Sequence, residues 1–542
     1  MSRSTRRQFI ARSSMATLGP SLFASSSGCA ERPISPHGYV VGEPTAEIVG
    51  ARILASGGNA IDAIVAAALT AAITAPNHTG VGGYGLSAVL AVDSGKQIVA
   101  IDGNSSSPAA MQADVFRAVA EGTDKDRINE VGWLAAGVPG LLAGLQLAID
   151  RFGTLSIGEL FQPAIEIARN GFPLSAQLAT LIRSNKYLER DPGSRRLYFP
   201  DGDSLATGSL FKNPELAEVL SALAKANSVE AFYRGDIAQQ IADAFQNNGG
   251  LVTVQDLASY EAKVVMPLKM EWNGFQVHTA PLTAGGLTVL QIMQTLKAME
   301  WDKKLDGIDQ LHAKIEATRL AWHDRLTLLG DPSKGNIPIE RLLSSDYAEK
   351  SAARILEIVE KKSYLRYPIA SKPQGGTIHL SAIDQQGNMA ALTLTHGEAF
   401  GAKVTIDGLG LTLGHGMSRF DPRPDHPNAP GPSKRPLHNM VPTIVTQSGQ
   451  SVMAVGGRGG RKIVNAVLEI LTQFVGLHQN LTTAMIAPRF HTEGNENFQY
   501  ENTWPESQIE PLKKRGYTLT QSGSATLSAV AMEKGQMQPA MR

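Results

Sequence analysis

A single cysteine, Cys29, occurs in the 542 residues of this chain. One thiol excludes an internal disulfide framework and any zinc site built from several cysteines, and no His-Glu-x-x-His motif is present. An excess of either charge is also lacking, because Lys plus Arg and Asp plus Glu each number 50. A neutral chain has no electrostatic reason to bind nucleic acid or an anionic membrane surface. We therefore predict no nucleic-acid partner, no metal and no cofactor.

Long hydrophobic runs are missing as well. The longest apolar stretch after Asn59 is interrupted by Asp62 and stays well short of the 18 residues that indicate a transmembrane helix. With 43% hydrophobic residues, the chain still has enough apolar side chains for a large buried core. This composition is typical of a soluble enzyme without a transmembrane segment.

The first thirty residues are predicted to be a targeting segment that does not take part in the fold. The run Thr5-Arg6-Arg7-Gln8-Phe9-Ile10 resembles a twin-arginine signal, and the moderately apolar run from Ser13 to Ala24 is too short to span a bilayer. This predicts export to the periplasm in the folded state. Cys29 follows Ser26-Ser27-Gly28, a lipoprotein-like box with serine where leucine is usual. Free release is favoured, and a lipid anchor at Cys29 stays open.

A candidate nucleophile follows two glycines in Gly375-Gly376-Thr377. Two apolar runs, Ile378 to Ile383 and Met389 to Thr395, flank a polar turn and predict a buried β-hairpin. A threonine freed as a new N-terminus can use its own amine as the base for its hydroxyl. Alone, such a threonine is more often an ordinary β-branched residue at a strand start.

Several short motifs accompany this threonine along the chain. They are Gly57-Gly58-Asn59-Ala60-Ile61-Asp62-Ala63, Gly80-Val81-Gly82-Gly83-Tyr84-Gly85, Gly137-Val138-Pro139-Gly140, Pro163-Ala164-Ile165, Gly171-Phe172-Pro173, Asn248-Gly249-Gly250-Leu251, Gly330-Asp331-Pro332, Lys434-Arg435-Pro436-Leu437, Gly459-Gly460 and Ala487-Pro488-Arg489-Phe490. Together with Gly375–His379, and in this order, these motifs resemble the γ-glutamyltransferase family, the self-cleaving threonine hydrolases of the N-terminal-nucleophile superfamily.

The resemblance implies an α+β fold, a four-layer αββα sandwich forming one intertwined domain from two autoprocessed subunits. A cut between Gly376 and Thr377 would give a large subunit, residues 31–376, and a small subunit, residues 377–542, with the polar stretch Glu360 to Ser371 as connector. Thr377 would attack a small-molecule amide, and water or an amine would accept the acyl group. Thr395 matches the family's second threonine, which orients the nucleophile; His379 is expected to be structural.

The glycines before a second helix form the other half of the predicted catalytic site. Gly456-Gly457-Arg458-Gly459-Gly460 precedes apolar residues at helical spacing, which predicts a helix from Arg461 to about Val475. Free N–H groups at a helix start bind anions. The resemblance assigns the oxyanion donors to Gly459 and Gly460. An ordinary tight turn is the alternative.

The residues at the positions that bind the glutamyl group in the family differ from the family pattern. Asn104 stands where the family has the arginine for the α-carboxylate, and His438-Asn439 replaces a Ser-Ser pair. On the amino-group side, the family's asparagine, glutamine and aspartate are replaced by Gly397, Gly416 and Arg419, respectively.

A cation at position 419 predicts an acyl group that ends in a carboxylate and lacks the amine, as in a dicarboxylic monoamide. Arg419, with Arg458 and His438, would bind that carboxylate. Two other functions stay open: a true γ-glutamyltransferase or glutathione hydrolase with altered contacts, and a non-catalytic ligand-binding relative. Arg419 could also turn outward to Asp421 or Asp425.

Three local predictions complete the sequence analysis. Thr45 is expected to cap a helix ending at Gly57, and Asn59 to cap a second helix from Ala60 to about Thr74. The segment Gly80 to Gly85 fits G-x-G-x-x-G but precedes a strand-like run, so a dinucleotide site is rejected. The proline-rich segment from Pro422 to Pro436 is either a lid over the site or a plain linker.

Overall fold

The computed structural model describes residues 35–118, 127–367 and 375–542. The expected signal segment at residues 1–30, including Cys29, lies outside these ranges, and so does the part of the connector from 368 onward. Within the described ranges no helix combines the length and the apolar character that a membrane span requires.

The described chain contains both strands and helices, often in runs of one kind. The strands are β1 (Gly38–Val41), β2 (Gly85–Val92), β3 (Gln97–Asn104), β4 (Phe172–Pro173), β5 (Leu210–Phe211), β6 (Lys263–Val265), β7 (Leu268–Trp272), β8 (Phe275–Thr279), β9 (Ile378–Asp384), β10 (Met389–Thr395), β11 (Thr405–Ile406), β12 (Leu411–Thr412), β13 (Thr443–Gln447), β14 (Gln450–Arg458), β15 (Phe490–His491), β16 (Asn497–Tyr500), β17 (Thr518–Gln521), β18 (Thr526–Glu533) and β19 (Gln536–Met541).

The helices are α1 (Pro44–Ala55), α2 (Ala60–Thr74), α3 (Val115–Ala118), α4 (Leu141–Phe152), α5 (Ile157–Asn170), α6 (Ala176–Ser184), α7 (Lys186–Arg190), α8 (Pro192–Tyr198), α9 (Pro214–Ala226), α10 (Glu230–Arg234), α11 (Asp236–Asn247), α12 (Val254–Ala258), α13 (Gly286–Ala298), α14 (Trp301–Lys304), α15 (Gly307–Leu328), α16 (Ile339–Leu342), α17 (Ser345–Glu360), α18 (Lys462–Leu471), α19 (Leu481–Ile486) and α20 (Glu506–Lys514).

Two six-stranded antiparallel sheets form the centre of the molecule. The first sheet has the strand order β1-β9-β10-β2-β3-β6, and the second has the order β19-β18-β14-β13-β8-β7. An apolar layer that includes Val89, Ile383, Ile444 and Val530 lies between them. Helices α2, α4 and α5 pack on the outer face of the first sheet, and α13, α15 and α18 pack on the second. This is the four-layer αββα sandwich that the resemblance implied.

The predicted hairpin is the pair β9 and β10, and every residue of both strands is buried. Alternate side chains of β9 point to opposite faces. Ile378 and Leu380 therefore join the helical layer, whereas Ile383 joins the layer between the sheets. Burial on both faces explains why these two segments are almost entirely apolar.

Helix α2 supports the first sheet from outside. All of its residues are buried, and Asn59 caps it through a capping box with Asp62, as predicted. The prediction for α1 is wrong at its start, because the cap is Glu43 and not Thr45: the Glu43 carboxylate accepts the N–H of Ala46, and Pro44 takes the first helical position.

Two further local predictions agree with the order of the elements, and the lid-or-linker alternative for Pro422 to Pro436 stays open. The glycines between 80 and 85 follow helix α2 and lead into strand β2, the reverse of the dinucleotide-binding order. Helix α18 begins at Lys462 and continues as a π-helical turn, Thr472–Gly476, which together cover the predicted helix.

Candidate active site

The site lies where four neighbouring strands of the first sheet end side by side. Thr377 immediately precedes β9 and is next to Thr395 at the end of β10. Thr395 is paired with Gly85 on β2, and Gly85 is paired with Asn104 on β3. At about 4.8 Å between strands, the row from Thr377 to Asn104 is about 14 Å long. Gly85 contributes no side chain, so the row has a gap between Thr395 and Asn104.

Thr377 and Thr395 are joined through their hydroxyl groups, whose oxygens are 3.0 Å apart. The Thr395 hydroxyl also donates to the carbonyl oxygen of Gly376 and accepts the N–H of Gly397 at 2.8 Å. The same Gly376 oxygen accepts the Gly397 N–H at 3.2 Å. The carbonyl carbon preceding Thr377 is therefore polarised by two donors, with the Thr377 hydroxyl beside it.

Position 376 requires a glycine. Its φ is +88°, and a Cβ there would lie 2.4 Å from the backbone carbon of Glu398. Both facts exclude a larger residue without rearrangement. The glycine lets the chain turn tightly before the nucleophile.

His379 is held by the core. Its Nδ1 is 2.7 Å from the Thr393 hydroxyl, and its Nε2 is 3.1 Å from that of Ser381. Burial lowers the pKa of His379 to about 3, so the ring is neutral at pH 7. With both nitrogens engaged, it supports the strand below Thr377, in line with the expected structural role.

Gly459 and Gly460 form the turn between β14 and α18. Gly459 has φ +139° and Gly460 has φ +63°. Neither amide N–H donates a hydrogen bond to any residue within the described ranges. Strand β14 brings this turn to the Thr377 end of the sandwich, because Arg458 and Ile378 line one cavity. Two free donors are thus available near the nucleophile.

Asn104 presents an acceptor to the site. Its amide nitrogen donates to the Thr283 hydroxyl at 2.7 Å and to the Pro436 carbonyl at 2.8 Å. A carbonyl accepts only, so this partner fixes the orientation of the amide. Oδ1 then points toward the Gly85 gap, 3.3 Å from where a Cβ would stand. With both hydrogens used, Asn104 cannot replace an arginine in binding a carboxylate.

Arg419 turns inward. Its Nη2 donates to the Gly397 carbonyl at 2.5 Å, and its guanidinium lies 5.9 Å from the centre of the Tyr84 ring. It forms no ion pair with a carboxylate in the described part of the chain. Asp421 instead pairs with Arg423 at 2.7 Å. The outward alternative is therefore wrong, and Asp425 does not hold this side chain either.

The two glycines that replace family side chains are explained by their neighbours. A Cβ at Gly397 would lie 2.2 Å from the His415 ring, and one at Gly416 would lie 2.9 Å from the Tyr84 Cβ. His415 and Tyr84 therefore occupy space next to the positions where the family carries its asparagine and glutamine.

Arg325 is a second cation that the sequence did not reveal. It lies on the buried face of α15 and donates to the His438 carbonyl at 2.7 Å and to the Asn439 side-chain oxygen at 3.3 Å. Burial, and after it Arg461, lowers the pKa of Arg325 to about 9, so it stays charged at pH 7. The feature that could have revealed Arg325 is its position as a charged residue on the buried face of a helix.

His438 is buried beside these cations. Burial, followed by Arg325, Arg419 and Arg435, lowers the pKa of His438 to about 3. The ring is therefore neutral at pH 7 and is not a partner for a carboxylate by charge. The predicted pair His438-Asn439 is thus located next to Arg325, which holds its backbone.

Several buried polar atoms of the site have no hydrogen-bond partner among the described residues. A buried polar atom without a hydrogen bond costs about 1–3 kcal/mol, so a cluster of them favours a polar ligand. Those around this site are Asn104 Oδ1, Ser105 Oγ, His415 Nε2, Arg419 Nε and His438 Nδ1.

The segment from Pro422 to Pro436 is tied to the site. Asn428 donates to the backbone oxygen of Arg419 at 2.7 Å and accepts the Leu437 N–H at 3.1 Å. Lys434 donates to two carbonyls of the same segment. The segment therefore fixes the backbone of Arg419, and its role as a lid stays a prediction.

Two facing sheets between helical layers, with a threonine at the start of an inner strand, define the class of N-terminal-nucleophile hydrolases. The family model described as Gamma-glutamyltranspeptidase matches residues 46–541. The chain belongs to the gamma-glutamyltranspeptidase family, as its motifs predicted, and is an enzyme of amide hydrolysis or acyl transfer.

Individual relatives support this assignment. The chain is 31% identical over 514 residues to the glutathione hydrolase proenzyme of Escherichia coli (strain K12), covering 91% of this chain and 88% of that protein. It is 32% identical over 504 residues to the acylase ACY 1 proenzyme of Pseudomonas sp. (strain SE83), covering 91% and 89%. The crystal structure of cephalosporin acylase from Bacillus halodurans matches with a TM-score of 0.84 at 24% identity, over 97% of this chain and 99% of that one.

Proposed function

We propose that the protein cuts itself between Gly376 and Thr377 and then hydrolyses or transfers an acyl group that ends in a carboxylate and lacks a neighbouring amine. The products of the cut would be a large subunit ending at residue 376 and a small subunit, residues 377–542. Relatives that are described as proenzymes support this division.

The contacts around Gly376 support self-cleavage. The Thr377 hydroxyl passes its proton toward Thr395 and attacks the Gly376 carbonyl carbon, whose oxygen is bound by Thr395 and Gly397. The bond from the Gly376 carbonyl carbon to the Thr377 nitrogen breaks, the nitrogen takes up the proton that the hydroxyl gave up, and the acyl group remains on the Thr377 oxygen as an ester. Water then hydrolyses the ester, which leaves a carboxylate on Gly376 and a free amine on Thr377.

The same threonine would serve the substrate. A free α-amine has a reference pKa of about 8, so a large fraction of it is neutral near pH 7 to 8 and can accept the hydroxyl proton. Thr377 attacks the substrate amide, the amine leaves with a proton, and an acyl-enzyme remains. The free N–H groups of Gly459 and Gly460 are suited to the negative oxygen of the tetrahedral intermediate.

The acyl preference is carried by Arg419, which reaches into the site and has no carboxylate partner among the residues that the structure describes. Asn104, by contrast, offers only an acceptor. A charge pair at 4 Å in an effective dielectric of 20 is worth about 4 kcal/mol, and solvent reduces this value. The substrate carboxylate would therefore bind at Arg419, with Arg325 adding positive potential. A substrate ammonium at the same place would be repelled.

The cut is tested on denaturing gels. Wild-type protein should give two fragments, and the smaller one should begin Thr-Ile-His. Thr377→Ala should give one band, and Thr393→Ser, on the same face of the neighbouring strand, should still give two. A single band from folded wild-type protein would favour the non-catalytic ligand-binding alternative.

The acyl preference is tested with glutaryl and γ-glutamyl anilides on processed protein. The glutaryl compound should have the higher kcat/KM by about 10- to 100-fold, the value of a charged hydrogen bond of about 1.5–3 kcal/mol. Arg419→Asp should remove or reverse the preference, and Arg423→Asp should leave it unchanged. A γ-glutamyl preference in the wild type would establish an ordinary γ-glutamyltransferase or glutathione hydrolase instead.

The location proposal concerns the first thirty residues. We propose export through the twin-arginine run, with release into the periplasm favoured over a lipid anchor at Cys29. Changing Arg6→Lys together with Arg7→Lys should keep the precursor in the cytoplasm. Normal periplasmic recovery of that variant would contradict the signal, and labelling with a fatty acid lost in Cys29→Ser would reveal an anchor.

A further inference from the structure

A small cavity lies on the opposite side of Thr377 from the Gly85 gap. It is lined by Gly42, Ile378, His379, Arg458, Thr526, Ser528 and Met541. In the first sheet, β9 lies between β1 on one side and β10 on the other. Gly42 directly follows β1, so this cavity is on the β1 side, whereas Arg419 and Asn104 are on the side of β10, β2 and β3.

Arg458 points into this space from the second sheet. Gly456 faces the first sheet, because a Cβ there would lie 2.3 Å from the His379 ring. Arg458 is two residues further along β14 and therefore faces the same way. In the pairing of β14 with β18, Arg458 lies opposite Thr526, which also lines the cavity.

The charge of Arg458 is not balanced by direct contact. Its side chain makes no hydrogen bond and no ion pair with any residue in the part of the chain that the structure describes. Burial lowers its pKa, and Glu43 is the carboxylate that partly offsets this effect. That carboxylate is committed to the start of α1, where it accepts the Ala46 N–H at 2.7 Å. A half-buried cation of this kind is suited to an anionic ligand.

We propose that the amine half of the substrate lies over the mouth of this cavity and that a carboxylate on it reaches Arg458. The inference rests on the proposed role of Thr377, because an acyl group bound toward Arg419 leaves the departing amine toward β1. Arg458 then selects the amine half, as Arg419 selects the acyl half. The predicted substrate carries a negative charge at each end of the amide.

The test uses two chromogenic substrates that share one acyl group. They are the glutaryl amides of 4-nitroaniline and of 3-carboxy-4-nitroaniline, which differ only in a carboxylate on the amine half. Wild-type protein should have a kcat/KM about tenfold higher for the carboxylated compound. Arg458→Met should abolish this ratio, and Arg458→Lys should retain part of it.

Lys462→Met is the matched control. Lys462 is four residues further on, and its ammonium is held by the Ser522 hydroxyl and the Gly523 carbonyl, so its loss should leave the ratio unchanged. Equal kcat/KM values for the two anilides in the wild type, or an unchanged ratio in Arg458→Met, would overturn the assignment. Turnover of the plain glutaryl anilide would still leave the Thr377 chemistry intact.

A binding measurement decides the matter if neither anilide is turned over. Equilibrium dialysis of processed wild-type protein should detect 3-carboxy-4-nitroaniline more tightly bound than 4-nitroaniline, with the difference absent in Arg458→Met. Equal binding of the two amines would reject the site independently of any activity.

Discussion

At the scale of single residues, Thr395 is the most densely connected group of the site. Its one oxygen accepts from Thr377 and from the Gly397 N–H, and its proton goes to the Gly376 carbonyl. A hydroxyl has one donor and two acceptor positions, so its capacity is fully used. Thr395 therefore fixes both the nucleophile and the bond that the nucleophile attacks.

Replacing Thr395 by valine keeps the shape and removes these three contacts. We expect Thr395→Val to slow self-cleavage by about 10²-fold or more, the usual cost of losing one donor to a developing oxyanion. Time courses on denaturing gels measure the rate. Thr443→Val, a buried threonine on β13, should cleave at the wild-type rate. Normal cleavage in Thr395→Val would remove Thr395 from the mechanism.

At the scale of elements, the turn between β14 and α18 determines where the oxyanion donors lie. Gly459 combines a left-handed φ with close packing, since a Cβ would lie 2.9 Å from Ala525. A side chain there must therefore shift the turn. The donors depend on this backbone conformation rather than on any side chain.

We expect Gly459→Ala to lower kcat of processed protein by about 10²- to 10³-fold with a smaller change in KM, because the donors act on the transition state. Gly449→Ala is the control: Gly449 has φ +78° at the other end of β14 and open space around it. If both variants lose activity equally, general backbone strain and not the oxyanion donors would be the cause.

The sequence predicted elements whose signals are local. The hairpin β9–β10 and the helix α2 carry continuous apolar runs and a capping box, and both were located within a residue or so. The turn at Gly459 and Gly460 was indicated by the helix that follows it, and the oxyanion role that the resemblance gives these glycines stays a prediction. The cap of α1 was missed because Glu43 is a less common cap than threonine.

The substrate side was harder to predict because it is built from distant segments. The direction of Arg419 depends on the Gly397 carbonyl, 22 residues away in sequence, and on Asp421 being taken by Arg423. Arg325 reaches His438 across 113 residues. Local patterns contain no information on such contacts, and the family match could not supply it where this chain departs from the family.

At the scale of the whole molecule, buried histidines make stability depend on pH. Burial lowers the pKa of His379, His396 and His438 to about 3, from the ordinary value of 6.5. Between pH 6.5 and 3 the unfolded chain binds protons that the folded chain does not. Their stabilising contribution is therefore full above pH 6.5 and is lost as the pH falls.

We expect the free energy of unfolding of the uncut Thr377→Ala protein to fall between pH 7 and pH 5 by about 2 kcal/mol for each of these histidines. Urea unfolding at both pH values measures it. His379→Asn should reduce the difference, and His478→Asn, at an exposed turn, should not. Equal stability at the two pH values would contradict the neutral, buried state of these rings.

The strand order affects how the molecule can refold after the proposed cut. Strands β9 and β10 lie between β1 and β2, so a cut at Gly376 leaves pieces of both products interleaved in one sheet. While the chain is continuous, this order forms within one molecule; once cut, it requires two separate chains to meet. Heat-denatured processed enzyme should then recover in proportion to its concentration, whereas the uncut Thr377→Ala chain should recover independently of it. The proposed cut therefore changes refolding from a reaction of one chain into a reaction of two.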